Sequence, residues 1–358
     1  MSPTLRLCVL PGDGIGPEVT EIACSVLERA LAGAGLSLSI ETGLIGGAAL
    51  DAAGDPLPAA ALAAARQADA VLLGAVGGPR WDQARPRPEA GLLALRAGLG
   101  VFANLRPVQV WSGLERSSVL RPERVAGADI LFVRELTGGA YFGRPQGETG
   151  TAPDRRAVDT TAYGETEIRR VAEVAFQAAE ARRRHLTSVD KANVLATSRL
   201  WRTVVDEVAA QHPTVTVAHL LVDSCALRLL QAPREFDVVL TENLFGDILT
   251  DEAAALVGSL GVLPSASLGT GGPALYEPVH GSAPDLVGRQ QANPLGAIGS
   301  AALCLRHSVG RPDLAAAVEA AIAATIAAGQ CTPDLGGSAT TGAVAAAVLT
   351  ALDRSAAA

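Results

Sequence analysis

The chain has 358 residues, 49% apolar and 18% charged, with a formal net charge of −8. This composition supports a large buried core and excludes a disordered chain, and the negative charge gives no reason to expect nucleic acid or an anionic membrane as partner. With no cationic leader and no apolar run of about 20 residues, a soluble, cytoplasmic protein is expected.

LRLCVL (5–10) has the apolar run of a buried strand, and PGDGIGPE (11–18) reads as a glycine-rich turn entering a helix that runs to about residue 31. LSLSIE (36–41) alternates as a strand does, a helix is expected over about 57–67, and ADAVLLGAV (68–76) is a second buried strand. GGPRWDQARPRPEAG (77–91) carries too much Gly and Pro for regular structure and reads as a functional loop. DILFVREL (129–136) is a strand, and 137–164 is an irregular or hairpin-like excursion. An amphipathic helix at 165–184 precedes a strand and turn in HLTSVDKANV (185–194). A helix near 197–211, a strand at 214–222, a helix near 223–231 and a strand at 236–241 follow. The stretch from 265 to about 294 lacks periodicity, which suggests binding, and the tail from 296 reads as Ala-rich helix broken at DLGGSATT (334–341). Strands alternating with helices predict an α/β architecture with a largely parallel sheet.

The five cysteines (Cys8, Cys24, Cys225, Cys304, Cys331) are scattered and odd in number, as reduced core thiols would be, and the five histidines show no HExxH spacing. Gly12, Gly14 and Gly16 form G-x-G-x-G, not the G-x-G-x-x-G of a dinucleotide fingerprint, and Glu18 would repel a pyrophosphate. That loop therefore reads as a tight turn, with an approach to a ligand left open. HGSAPD (280–285) is better suited: the N–H groups of Gly281, Ser282 and Ala283 form a cradle for phosphate. Asp285 is placed to accept from a ribose diol, which favours NAD over NADP; an ordinary surface loop is the alternative.

Lys191 is the only lysine beside 28 arginines: either it survived by chance, or it does work that a permanently protonated guanidinium cannot do. Arg96, Arg106 and Arg134 sit at the ends of apolar segments; each alone reads as a surface or paired arginine, and together they could clamp a dicarboxylate by bidentate pairing. Asp247 and Asp251, four apart in TENLFGDILTDEAA, share one helix face just after Gly246, which could open the helix. Either both face water or a cation lies between them; with Asp223 they would make an oxygen site for Mg2+ or Mn2+. Tyr141, in TGGAYFG, is a possible acid or a core-filling aromatic.

PGDGIGPEV, LLALR, ANLRP, VRELTGGAYFG, VDKANVL, NLFGDILTDEAA, GSLGVLPSASLG and EPVHGSAPD occur in this order along nearly the whole chain. Together they resemble the 3-isopropylmalate dehydrogenases of the β-decarboxylating dehydrogenase family. The resemblance implies an isopropylmalate/isocitrate dehydrogenase-like α/β fold, with two α/β domains around a central cleft and not the Rossmann arrangement. The domains would be 1–101 with 258–358, holding most of the NAD site, and 102–257, holding the dimer interface and an intersubunit arm near 137–163. It implies that Arg96, Arg106 and Arg134 bind the malate carboxylates and that Asp223, Asp247 and Asp251 bind the metal, with Asp223 also at the substrate. Lys191 and Tyr141 would be catalytic, with Asn193 in contact with substrate. Glu89, Leu92 and Leu93 would line the isopropyl pocket. Gly78 and Glu89 would lie near the nicotinamide, and His280, Gly281, Ser282, Ala283, Asp285 and Asn293 would hold the adenosine half of NAD. Lys191 and Asp223 would enter the partner's site in a homodimer.

The implied reaction is oxidation of (2R,3S)-3-isopropylmalate at C2 by NAD, then decarboxylation to 2-oxoisocaproate, in leucine biosynthesis. D-malate, tartrate, isocitrate and homoisocitrate are alternative substrates, against which the apolar Leu92–Leu93 pair argues, since a buried carboxylate there would lack a partner. A non-catalytic nucleotide-binding scaffold would be marked by loss of Lys191, Tyr141 or the aspartates, and all are present.

Overall fold

The structure, a computed structural model, describes residues 4–356. In chain order it begins β1 (Thr4–Gly12), α1 (Gly16–Gly33), β2 (Ser37–Thr42), α2 (Gly46–Ala53), α3 (Ala59–Gln67), β3 (Ala70–Ala75) and α4 (Pro88–Leu99). There follow β4 (Val101–Gln109), the single turn α5 (Pro122–Val125), β5 (Asp129–Glu135), the short strands β6 (Gly147–Thr149) and β7 (Arg156–Val158), and α6 (Glu165–Glu180). Next come β8 (His185–Asp190), α7 (Ala196–Ala209), β9 (Thr216–Leu221), α8 (Val222–Gln231), β10 (Val238–Thr241) and α9 (Asn243–Val257). The chain closes with β11 (Pro264–Gly269), β12 (Ala274–Pro278), α10 (Leu295–His307), α11 (Pro312–Ala327) and α12 (Thr341–Ala356).

Two compact units result: Met1–Val101, Val110–Pro122 and Val257–Ala358 form the first, and Phe102–Gln109 with Glu123–Leu256 the second. In the first unit the strand order is β2-β1-β3-β12-β11, parallel from β2 to β12, with β11 antiparallel to β12. In the second the order is β4-β5-β10-β8-β9, with β4 antiparallel to β5 and the rest parallel. β3 is buried along its whole length, as an interior parallel strand must be, so its sequence is continuously apolar. α1 buries Val19, Ala23, Val26, Leu27 and Ala30 at helical spacing, with Pro17 in its first turn, where a missing N–H costs nothing.

Four local departures from the sequence reading have physical causes. The first part of the stretch from 265 to about 294, expected to be aperiodic, lies in β11 and β12; β12 is buried throughout, so the alternation that marks a half-exposed strand is missing. α2 falls in a stretch left without a helix, and α4 begins at Pro88, within the segment read as loop. Proline there is a helix starter at the first position, not a breaker. Segment 110–122 belongs with the first unit, not with 102–257: Leu114 is buried, and Ser117 Oγ donates to the Leu335 carbonyl at 3.2 Å.

The tip of the expected arm is an antiparallel hairpin, β6 with β7, whose six residues are all exposed. The cysteines form no disulfide, and burial pushes the Cys225 and Cys304 thiols up to about 12. No helix among the described residues is long and apolar enough to cross a membrane.

Candidate active site

Three loops of the first unit meet around one buried carboxylate. Asp13, in the turn after β1, accepts from the N–H of Gly47 and of Gly77, both at 2.8 Å, and of Ala48 at 2.7 Å. It thereby ties the start of α2 to the loop that leads to Gly78. Ile15 N–H donates to the Ser282 carbonyl at 2.8 Å, and a Cβ on Gly14 would lie 1.9 Å from that same oxygen. Gly14 thus allows close approach of this turn to the HGSAPD loop, while Gly12 leaves room for the Ala75 carbonyl at the end of β3.

In the HGSAPD loop, Ala283 holds a left-handed φ of +37°, which exposes successive N–H groups, and a Cβ added to Gly281 would meet nothing within 4 Å. Ser282 is buried and Asp285 exposed. His280 Nδ1–H donates to the Gly281 carbonyl at 2.9 Å; its buried Nε2 has no hydrogen-bond partner among the described residues, and burial lowers its pKa. An open cradle beside an unsatisfied imidazole nitrogen fits a nucleotide. Asn293 stands apart from that set: its Nδ2 donates to Asp334 at 3.0 Å and its Oδ1 accepts from Leu295 N–H at 3.0 Å, so both ends of its amide are engaged.

Helix α4 presents Glu89, Leu92, Leu93 and Arg96 at positions that share one face. Glu89 reaches over Gly77, whose absent Cβ would lie 2.5 Å from Glu89 Oε1. Leu92 and Leu93 are half-buried. Arg96 donates through Nη2 to Glu277 of β12 at 2.5 Å, while its buried Nε has no hydrogen-bond partner among the described residues.

In the second unit, Asp247 is the focus. α9 starts at Asn243, and with Asp247 and Asp251 in it the two carboxylates share a face as their spacing requires. Arg134, 3% exposed at the end of β5, donates through Nη1 to Asp247 Oδ1, and its Nε and Nη2 donate to Asn243 Oδ1 at 3.1 and 2.8 Å. Tyr141 OH donates to Asp247 Oδ2, and the Arg134 guanidinium carbon lies 5.6 Å from the Tyr141 ring centroid. Arg106 Nη2 is 4.0 Å from Asp247 Oδ1, with Nε donating to Asn104 and Nη1 to Thr250, both at 2.7 Å. Gly246 does not open α9, which is already in its first turn there. A side chain at 246 would lie 2.7 Å from Arg134 Cγ and 2.3 Å from Thr241 Oγ1, so glycine clears the path of the arginine.

Burial works to raise the Asp247 pKa, but the charge of Arg134, the Tyr141 hydrogen bond and Arg106 outweigh it and hold the carboxyl below its ordinary value. Asp251 moves the other way, raised by burial and by the charge of Asp247. Burial and the hydrogen bond to Asp247 raise the Tyr141 phenol, so it stays protonated and able to donate. Two carboxylates on one helix face, one of them pushed up by burial and by its neighbour, supply two hard oxygen ligands for a divalent cation. The third, Asp223, is elsewhere: in the first turn of α8 it pairs with Lys191 Nζ, which lowers its pKa. Among the described residues no three His, Cys, Asp or Glu side chains are placed to hold one ion.

Lys191 is partly buried and Asn193 exposed, on the turn that leaves β8. Several carboxylates that hold these turns were not singled out from the sequence. Asp13 is one; Glu135, wholly buried beside Arg134, accepts from the N–H of Thr137 and Gly138 at 2.8 Å and sets the turn toward Tyr141. Glu242 accepts from Phe245 N–H at 2.6 Å and caps α9. Their sequence signal was an acid at the end of an apolar strand, next to glycine at Asp13 and asparagine at Glu242 but to Arg134 and Leu136 at Glu135.

The profile of the isocitrate/isopropylmalate dehydrogenase family matches residues 6–349. The chain is 55% identical over 346 residues to a 3-isopropylmalate dehydrogenase of Anaeromyxobacter dehalogenans, covering 96% of this chain and 98% of that one. Among solved structures it resembles isocitrate dehydrogenase from Methylococcus capsulatus, with TM-score 0.87, 33% identity and coverage of 97% and 99%. It also resembles a β-decarboxylating dehydrogenase from Thermococcus kodakarensis, with TM-score 0.79, 36% identity and coverage of 98% and 96%. The chain therefore belongs to the isocitrate/isopropylmalate dehydrogenase family.

Proposed function

We propose that this chain oxidises 3-isopropylmalate at C2 with NAD and releases CO2 to give 2-oxoisocaproate, a step of leucine biosynthesis. The observation that carries the chemistry is the convergence of Arg106, Arg134 and Tyr141 on Asp247. Two guanidinium groups held there by Asn104, Asn243 and Thr250 are preorganised to receive carboxylates in bidentate geometry. Family membership and the 3-isopropylmalate dehydrogenase relative support the reaction class, and the half-buried Leu92 and Leu93 favour an apolar side group on the substrate.

Bound NAD would supply the hydride acceptor, and Mg2+ or Mn2+ held by Asp247 and Asp251, with Asp223, would supply positive charge beside the C2 oxygen. The chain's own groups do the rest. Arg96, Arg106 and Arg134 orient the two carboxylates. Lys191 takes the proton of the C2 hydroxyl on Nζ. As the C–C bond to the departing CO2 breaks, its electron pair moves toward C3. Tyr141, kept protonated by its surroundings, returns a proton to that carbon.

The reading includes a cytoplasmic homodimer with shared sites. In its support, Asp223 is held away from Asp247 and Asp251 within one chain. Leu227 and Leu230 of α8 and Leu244 and Ile248 of α9 are exposed, and so is the β6–β7 hairpin, which is marginal as an isolated ribbon.

The test is NADH formation with purified protein, NAD and Mn2+, comparing 3-isopropylmalate with D-malate, tartrate and isocitrate, with and without EDTA. Preference for 3-isopropylmalate and loss of rate in EDTA are expected. Preference for another acid would overturn the role of Leu92 and Leu93. No reaction with any of them would favour a nucleotide-binding scaffold.

A further inference from the structure

The turn that carries the only lysine is clamped by one face of α7. Lys191 N–H donates to Ser198 Oγ at 2.9 Å, and the Lys191 carbonyl accepts from the N–H groups of Val194 and Leu195, both at 2.9 Å. Arg199 Nη1 donates to the carbonyls of Ala192 and Val194 at 3.2 and 3.3 Å. The next link is ionic. Asp190, the last residue of β8, has a fully buried side chain whose Oδ1 accepts from Ala192 N–H at 2.8 Å. Arg202 closes on that carboxylate with Nε at 2.8 Å and Nη2 at 3.0 Å, while remaining 37% exposed on its outer side.

A buried carboxylate without a partner would be strongly disfavoured, and Arg202 supplies that partner to Asp190. Held by Arg202, Asp190 in turn fixes the peptide between Lys191 and Ala192, and with it the directions of the Lys191 and Asn193 side chains. His219 of β9 also faces this carboxylate, with Nδ1 3.9 Å from Asp190 and Nε2 2.8 Å from Asp206. Neither Asp190 nor Arg202 was singled out from the sequence, and neither is among the groups assigned to substrate, metal or NAD.

We propose that the Asp190–Arg202 pair is a positioning device for Lys191 and Asn193, an inference that rests on the reaction proposed above. Arg202→Gln removes the charge that neutralises Asp190 from a partly exposed site, so the fold should survive. Misplacing the base by about 1 Å should lower kcat about 10- to 100-fold, with KM for NAD unchanged. The primary deuterium isotope effect from C2-deuterated 3-isopropylmalate should rise, because a misplaced base slows the chemical step. A mere loss of folded enzyme would lower kcat and leave the isotope effect as it was. Arg202→Lys should recover part of the rate. Glu207→Gln on α7, which removes only the ion pair to Arg169 of α6, should leave all readouts unchanged.

A second measurement does not depend on turnover. With one lysine in the chain, acylation of Lys191 by an N-hydroxysuccinimide ester, followed by peptide mass spectrometry, reports on the order of this turn directly. The rate should rise in Arg202→Gln as the turn loosens. Unchanged acylation, or a lower kcat with an unchanged isotope effect, would overturn the positioning role. A wild-type protein inactive on 3-isopropylmalate would instead refute the reaction assignment, and the acylation comparison would then decide the positioning of Lys191 by itself.

Discussion

Replacing Gly246 with alanine should damage turnover far more than stability. Position 246 lies in the first turn of α9, where alanine is favoured over glycine by about 1 kcal/mol. Against that gain, the new methyl group would fall 2.3 Å from Thr241 Oγ1, 2.7 Å from Arg134 Cγ and 3.0 Å from Arg134 Cβ. Overpacking of this kind costs about 1–3 kcal/mol, so the net loss of stability is about 0–2 kcal/mol. Thr241 lies in a buried strand and cannot yield, so the arginine stem must move. Its guanidinium then loses register with Asn243 and Asp247, and a shift of about 1 Å in a group that orients substrate lowers the rate about 100-fold. The assay is steady-state NADH formation with the hydroxy acid and NAD varied separately, beside a thermal melt. kcat/KM for 3-isopropylmalate should fall about 100-fold, with KM for NAD unchanged and the melt displaced only slightly. A kcat/KM close to wild type would show that Arg134 does not orient the substrate, or that its stem yields freely.

Lys191→Arg should fold and bind NAD yet lose most turnover, since a guanidinium cannot act as the base at neutral pH; near-normal turnover would remove Lys191 from that role. Gly14→Ala forces a side chain at φ +59° onto the Ser282 carbonyl, so NAD binding measured by fluorescence quenching should weaken more than the melt would suggest. His212 bridges Glu180 and Glu173 of α6 at 2.9 and 3.1 Å, and these contacts raise its pKa above the ordinary value. Its contribution to stability is therefore fully present below about pH 6.5 and is lost as pH rises through the raised folded value. Urea titrations of His212→Asn across that window should show a flatter pH dependence than wild type; parallel curves would show that the bridge contributes nothing.

Much of the site was legible because it depends on spacing within single segments. The face shared by Asp247 and Asp251 follows from 3.6 residues per turn once α9 is recognised, and so does the α4 face of Glu89, Leu92, Leu93 and Arg96. The rarity of lysine singled out Lys191, and the order of the longer motifs along the chain pointed to the family that the comparisons establish. Strand positions 5–10, 68–76 and 129–136 were readable because buried parallel strands are continuously apolar. The same property concealed β12, whose buried residues lie in a segment dominated by glycine and proline.

The sequence by itself determined which side chains share a helix face or strand end, and hence which chemistry each short segment can offer. Tertiary structure alone decided what distant segments do to one another. Gly14 is small because Ser282 arrives 1.9 Å from where its Cβ would be, and Gly246 because Arg134 passes it. Asp13 joins loops 34 and 64 residues away, and Asp190 becomes a clamp only when α7 brings Arg202 to it. Local periodicity is a property of backbone geometry and is written in neighbouring residues. Close approach, carboxylate pairing and burial depend on which surfaces meet, and no window of adjacent residues contains that information.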